Sequence, residues 1–347
     1  MSTPGTDTTP QRKPTATPRT SLRLRDHLKK IAPFITLLFL IVFFSVASPA
    51  SFLTWNNLTN ILTQISVTGI IATGLTFVIL CAEIDLSVGS VANAVGIVLA
   101  FFTAQDASVN IANVPLPGWV AIVLALTSAV IFGLVTAFGV TRIGIPSFIM
   151  TLAMLQIGAG VCAMLVRGQI AYNVPDVIKV LGTKALGPIP WIVIVAALVL
   201  AAGHFVLTYT RFGRYVYMVG GNREAAEYSG VNVRAVVASV MIIGAVCSGF
   251  AGMLGVAHLG SAQQDEFVDY LLDSIAAVVV GGTSLFGGQG GIPNTIIGLF
   301  VLGVLNNGLD HVKIDSFLKV LIRGLILLTA LIINIYAQRI RSRSLEE

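Results

Sequence analysis

The residues with the most chemistry to explain are carboxylates set against long apolar sequence. The segment Glu83, Ile84, Asp85, Leu86, Ser87, Val88, Gly89, Ser90 separates two apolar runs and leaves no room for a long loop. A carboxylate at the centre of a bilayer costs about 2.5 to 3.5 kcal/mol on insertion scales, so such a group faces a cavity or a partner. Three readings follow. Asp85 caps the next helix, accepting from the amides around Ser87 and Val88, while Gly89 allows close packing. Alternatively, Glu83 or Asp85 lies near a translocation path or senses an attached subunit. A proton relay is the third reading. Asn93, Gln156, Asp273, Asn306 and Asn307 also fall within apolar stretches, where they can bond a neighbouring helix or a hydroxyl-rich solute. Arg323 sits more than one turn inside the last apolar run and must snorkel, pair with an acid or face another subunit.

Chemistry that the sequence lacks narrows the function further. No Gly-x-x-x-x-Gly-Lys-Ser/Thr loop occurs, and the glycine-rich run Gly281, Gly282, Gly287, Gly288, Gly290, Gly291 has no lysine to reach a phosphate. There is no His-Glu-x-x-His helix and no Gly-x-Ser-x-Gly elbow, and only four His are present. Cys81, Cys162 and Cys247 stand singly in apolar sequence, without metal-ligand spacing or disulfide pairing. The expectation is a chain with no enzyme activity of its own, no metal and no bound cofactor, in which the cysteines are packing residues.

The elements that must position these groups are membrane helices. With 55% hydrophobic and 11% charged residues and a mean hydropathy of +0.89, the chain has too little polar surface for a water-soluble globule. The net charge of +5 is spread over tails and short loops rather than one face, which argues against nucleic acid. A span needs about 20 apolar residues. Runs near 33–49, 58–81, 86–105, 118–141, 147–166, 191–210, 234–256, 271–285, 292–309 and 316–337 predict an all-α polytopic membrane protein of about ten segments, with eight as the lower bound. The eighth runs into the glycines, so a broken or re-entrant helix near 271–291 is an alternative. Residues 1–32, rich in Thr, Pro, Ser, Arg and Lys, read as a disordered basic tail with no cleavage site. The transmembrane domain is 33–338, and 339–347 form a second tail. Alternating sides places fifteen Lys and Arg with the termini and four, Arg167, Lys179, Lys184 and Lys313, on the other side. That asymmetry predicts cytoplasmic N and C termini.

The longest inner loop is then 211–233. Gly220 and Gly221 end one element, Asn222 caps a short helix from Arg223 to Ser229, and Gly230 stops it. Glu224, Ala225 and Ala226 lie on that helix. A short amphipathic helix here is either a docking knob for a cytoplasmic partner or an interfacial linker.

Five stretches together resemble the ribose, xylose and arabinose type permeases of binding-protein-dependent ATP-binding-cassette (ABC) importers. They are 74–80 continuing to 84–90, 145–152, 213–230, 272–284 and 303–309, and they run in family order. The resemblance implies a permease subunit of the inner membrane that pairs with a second copy or a paralogue. It would receive a monosaccharide or small polyol from a periplasmic or lipid-anchored binding protein and be driven by two cytoplasmic ATPase subunits, which carry the ATP and Mg. It also implies that Gly220 to Gly230 is the segment that couples to the ATPase. One departure is Glu83, which stands where the family usually has a glycine before Ile-Asp-Leu-Ser. The competing reading is a stand-alone ion-coupled carrier, with Glu83, Asp85 and Asp273 as coupling carboxylates.

Overall fold

The structure, a computed structural model, describes residues 19–103, 116–172, 179–187, 189–315, 317–329 and 331–332. Its helices are α1 (Arg19–Ala47), α2 (Trp55–Leu80), α3 (Val88–Thr103), α4 (Gly118–Phe138), α5 (Ser147–Val166), α6 (Trp191–Tyr209), α7 (Arg211–Gly221), α8 (Arg223–Tyr228), α9 (Val233–Leu259), α10 (Val268–Val280) and α11 (Ile292–His311), followed by a helical segment at 317–329. Each of the ten predicted apolar runs holds a helix. Among the described residues six helices are long and apolar enough to cross a membrane: α2, α4 with its continuation to Ile143, α5, α6, α9 and α11. Ala32–Ala47 and α3 are shorter apolar helices. α10 has 13 residues and stops before Gly281 and Gly282, so the glycine-rich stretch 281–291 is a non-helical connection to α11.

Local signals account for most boundaries. Thr54 caps α2 by accepting from the Asn57 amide at 3.2 Å, and Asn232 caps α9 by accepting from the Ala235 amide at 3.0 Å. Pro146 and Pro190 stand immediately before α5 and α6, and Pro293 lies in the first turn of α11, where a missing N–H costs nothing. Gly260 ends α9 in the left-handed conformation.

Two expectations need correction. Of the tail predicted to be disordered, residues 1–18 lie outside the described residues, as does 339–347, but the backbone from Arg19 to Ala32 is helical and continuous with α1. Arg19 to Ala32 contains neither Gly nor Pro, and extending an existing membrane helix avoids the nucleation step that would bar an isolated one. The all-α expectation also missed, among the described residues, four strands of two or three residues. β1 (Ala171–Tyr172) pairs antiparallel with β4 (Ser261–Ala262), and β2 (Lys184–Leu186) with β3 (Ile189–Pro190). Such short pairs satisfy loop backbone groups and carry no periodic hydrophobic signal.

α2, α3 and α9 form the centre, with α4 and α5 on the α3 side and α6, α10 and α11 around α2. Ile70, Ile71, Ala92, Val95 and Leu254 are fully buried there. α4, α5 and α6 present many large apolar side chains outward, among them Ile131, Leu134, Leu152, Leu198 and Phe205. Close approach of α3 and α9 depends on Gly252, where a Cβ would lie 2.0 Å from the Ala92 carbonyl oxygen. Gly252→Val should therefore lower the stability of the purified protein by about 2 kcal/mol or more through overpacking. Gly160→Ala, in open space on α5, should be neutral or stabilising by up to about 1 kcal/mol. Thermal melts in detergent compare the two directly.

Candidate functional site

The site is built on the C-terminal end of α2. The helix ends in a Schellman motif: Ala82 N–H donates to Ile79 O at 2.9 Å and Glu83 N–H to Val78 O at 3.1 Å. The residue that must be left-handed is therefore Ala82, with φ of 60°, and not Glu83. The backbone asks for no glycine at 83, so the glutamate there can be used for its side chain. Asp85 Oδ1 accepts from the Ser87 amide at 2.8 Å and the Ser87 hydroxyl at 2.6 Å, one turn before α3 settles into its helix. Burial pushes the Asp85 carboxyl up, and the two bonds from Ser87 oppose that shift. Of the readings open for Asp85, the contacts are those of a cap on this turn. Ile84 is held from both sides by α5: its N–H donates to Ser147 Oγ at 3.2 Å, and its carbonyl accepts from Thr151 Oγ1 at 3.4 Å.

Two other motifs meet the same turn. Gly288 N–H donates to the Leu80 carbonyl at 2.9 Å, so the glycine-rich connection caps α2. The end of α7 packs on the same oxygen, since a Cβ on Gly220 would lie 1.8 Å from it. Tyr217 on α7 donates its hydroxyl to the Gly290 carbonyl at 2.9 Å, and burial pushes its phenol up. Then Asn222, the cap of α8, accepts from the Ala225 amide at 2.9 Å. Ser229 Oγ donates to the Ala225 carbonyl at 2.8 Å, and Gly230 turns left-handed with φ of 80°. Arg223, the first residue of α8, donates to Glu83 Oε1 at 2.9 Å, joining α8 to the turn after α2.

The predicted loop residues divide by exposure. Ala226 is buried against the α7 and α9 apolar cluster and Gly220 is in the junction, whereas Gly221, Asn222, Glu224, Ala225, Ser229 and Gly230 are exposed. Sequence reasoning missed Tyr228, which ends α8 and is 91% exposed. An aromatic residue just before Ser229 and Gly230, off the apolar face that contains Ala226, was the available signal.

The remaining polar candidates lie on α3 (Asn93), α5 (Gln156), α10 (Asp273) and α11 (Asn306 and Asn307). Asn93 is helix glue: its Oδ1 accepts from the Phe267 amide at 2.9 Å. Asn307 pairs reciprocally with Asn57 at 2.8 and 2.9 Å, and His311 Nε2 lies 2.9 Å from Asn57 Oδ1. Asn306 faces the other way and accepts from Arg323 Nε at 3.2 Å. Arg323 pairs with Asp273 at 3.6 Å and Asp269 at 3.9 Å. These groups, with Gln64, Thr68 and Tyr270, line a cavity of about 280 Å³. A second, of about 660 Å³, continues along Asn56, Thr59, Asn60, Thr63 and Gln64. The α2 polar stripe at 56, 60, 63 and 64 is legible at helical spacing, and only 56 lies outside the predicted run 58–81. Gln156 is exposed on α5, away from both cavities. Among the described residues no group of three or more His, Cys, Asp or Glu is placed to hold a metal.

Removing the Tyr217 hydroxyl tests the junction. Tyr217→Phe leaves the Gly290 carbonyl without its donor and should cost about 1 kcal/mol. A lower melting temperature and faster amide exchange across 284–291 would register it.

Comparison with known proteins identifies the family. The family described as branched-chain amino acid transport system / permease component matches residues 57–331. The ribose import permease protein RbsC of Escherichia coli K12 is 37% identical over 304 residues, covering 86% of this chain and 92% of that protein. RbsC of Bacillus subtilis 168 is 35% identical over 319 residues, covering 88% and 93%. The D-allose transport system permease protein AlsC of E. coli K12 is 32% identical over 308 residues, covering 88% and 91%. With a match across most of its length and relatives aligned nearly end to end, the chain belongs to this family of multi-pass membrane permease components.

Proposed function

We propose that this chain is the permease subunit of an inner-membrane ABC importer for a monosaccharide or related small polyol. The observation that carries the reading is α8, an exposed helix with Tyr228 at its tip, whose base is locked to the turn between α2 and α3. A docking knob needs an accessible surface and a stiff connection to the spans, and α8 has both. The Lys and Arg asymmetry supports it: a ten-segment topology with both termini cytoplasmic would put α7, α8, the Glu83 turn and the glycine-rich connection on the cytoplasmic face. There an ATPase subunit would meet α8; this chain, without a phosphate-binding lysine loop, leaves ATP and Mg to that partner. Closure of the ATPase pair would displace α8 and shift the attached helices between two packings. A binding protein would deliver solute at the opposite face, and a second copy or a paralogue would complete the pore.

The solute class is supported by two things. The relatives are named for ribose, D-allose and xylose, and the cavities along α2 are lined by amides, hydroxyls and carboxylates that suit neutral polyhydroxylated molecules. The ion-coupled alternative is weakened because its three carboxylates already have partners: Glu83 with Arg223, Asp85 with Ser87 and Asp273 with Arg323.

Two outcomes are expected. In proteoliposomes, labelled monosaccharide uptake should require this chain together with its ATPase, binding protein and ATP; uptake by this chain alone on an ion gradient would establish the carrier instead. Tyr228→Ala should weaken ATPase association by about 2 kcal/mol or more, as for an exposed aromatic anchor. Ala225→Glu should do likewise, whereas substitutions of buried Ala226 should first lower the melting temperature.

A further inference from the structure

Among the described residues Glu83 is the carboxylate that reaches from the membrane helices to α8. Its side chain is 8% exposed, while that of Arg223 is 55% exposed. Arg223 also occupies the first turn of α8, where a cation is disfavoured by the unpaired N–H groups of the helix start. Pairing with Glu83 gives that placement a reason. Around Glu83 the backbone is tied in three directions: to α2 through Val78 O, to α5 through Ile84 and Ser147, and to α3 through Asp85 and Ser87. Among the described residues Glu224 and Glu227 of α8 are exposed and form no ion pair with Arg223, whose partner is Glu83.

We propose that the Glu83–Arg223 ion pair is the strut through which movement of α8 is delivered to α2, α3 and α5, which makes both positioning residues for transport. The proposal rests on the importer reading and adds the route of coupling. If α8 moved without the turn, a nearly buried carboxylate would be left unpaired, which is the costly outcome for such a group. The lower-energy movement carries Ala82 to Asp85 along with α8. Because the turn is bonded to three helices, the displacement reaches all of them together. The glycine-rich connection, capping the same α2 carbonyl, would move as part of the same body.

The test uses the full complex of permease, ATPase and binding protein in proteoliposomes, with Glu83→Gln, Arg223→Gln and the double variant. Neutral Gln at 83 removes a buried charge, so folding should not suffer, and melting temperature checks this. Solute imported per ATP hydrolysed should fall about tenfold in each single variant. The double variant should be no worse than either single, because the two residues act as one unit. ATPase association, measured by co-purification, should stay within about twofold of the parent in all three. Unchanged transport per ATP, or additive losses, would overturn the strut. Loss of ATPase association in Arg223→Gln alone would also overturn it, making Arg223 a docking contact. The parent complex separates the two claims: absence of ATP-dependent uptake there removes the importer reading and the strut with it.

Discussion

The constraint on which the rest of the structure depends is the need to satisfy the last carbonyls of α2. A helix end has no intrahelical donors for its final C=O groups, and at a membrane boundary packed with protein water cannot be relied on to supply them. Here Val78, Ile79 and Leu80 are bonded by Glu83, Ala82 and Gly288. Only backbone can approach so closely, and it does so at Gly220 and Gly288. That requirement draws α7 and the 281–291 connection onto one point, although they are far apart in sequence. Once there, they bring α8 and Arg223 within reach of Glu83.

The consequence is mechanical. A flexible cytoplasmic loop would dissipate a push from a partner, whereas α8 is fastened at its base by an ion pair, by its Asn222 cap and by buried Ala226. Force applied at the exposed Tyr228 therefore reaches the ends of three helices. Further along α2, the same helix lines both polar cavities. One element thus joins the candidate docking surface to the candidate solute path.

Sequence carried much of this and missed particular parts for physical reasons. The α8 signature was readable because capping is local: Asn222, Ser229 and Gly230 each act within four residues of their partners. The apolar runs were readable from composition alone. What could not be read was pairing across long separations: Arg223 with Glu83, 140 residues apart, or Asn307 with Asn57, 250 apart. Nor could the sequence separate Asn306 from Asn307, which face opposite directions on one helix and bond to Arg323 and Asn57. The Glu83 departure looked like a lost glycine; the turn places its left-handed residue one position earlier, at Ala82. Helix α1 began earlier than expected because hydropathy marks where a helix enters lipid, not where it starts.

The central claim is that α8, the Glu83 turn and the glycine-rich connection respond to the ATPase as one body. Amide exchange measured by mass spectrometry on the permease, with and without its ATPase subunits and a non-hydrolysed nucleotide, tests it most directly. Protection changes at 223–229 should be accompanied by changes at 81–88 and 284–291, none of which is on the exposed face of α8. Protection confined to 223–229 would contradict it.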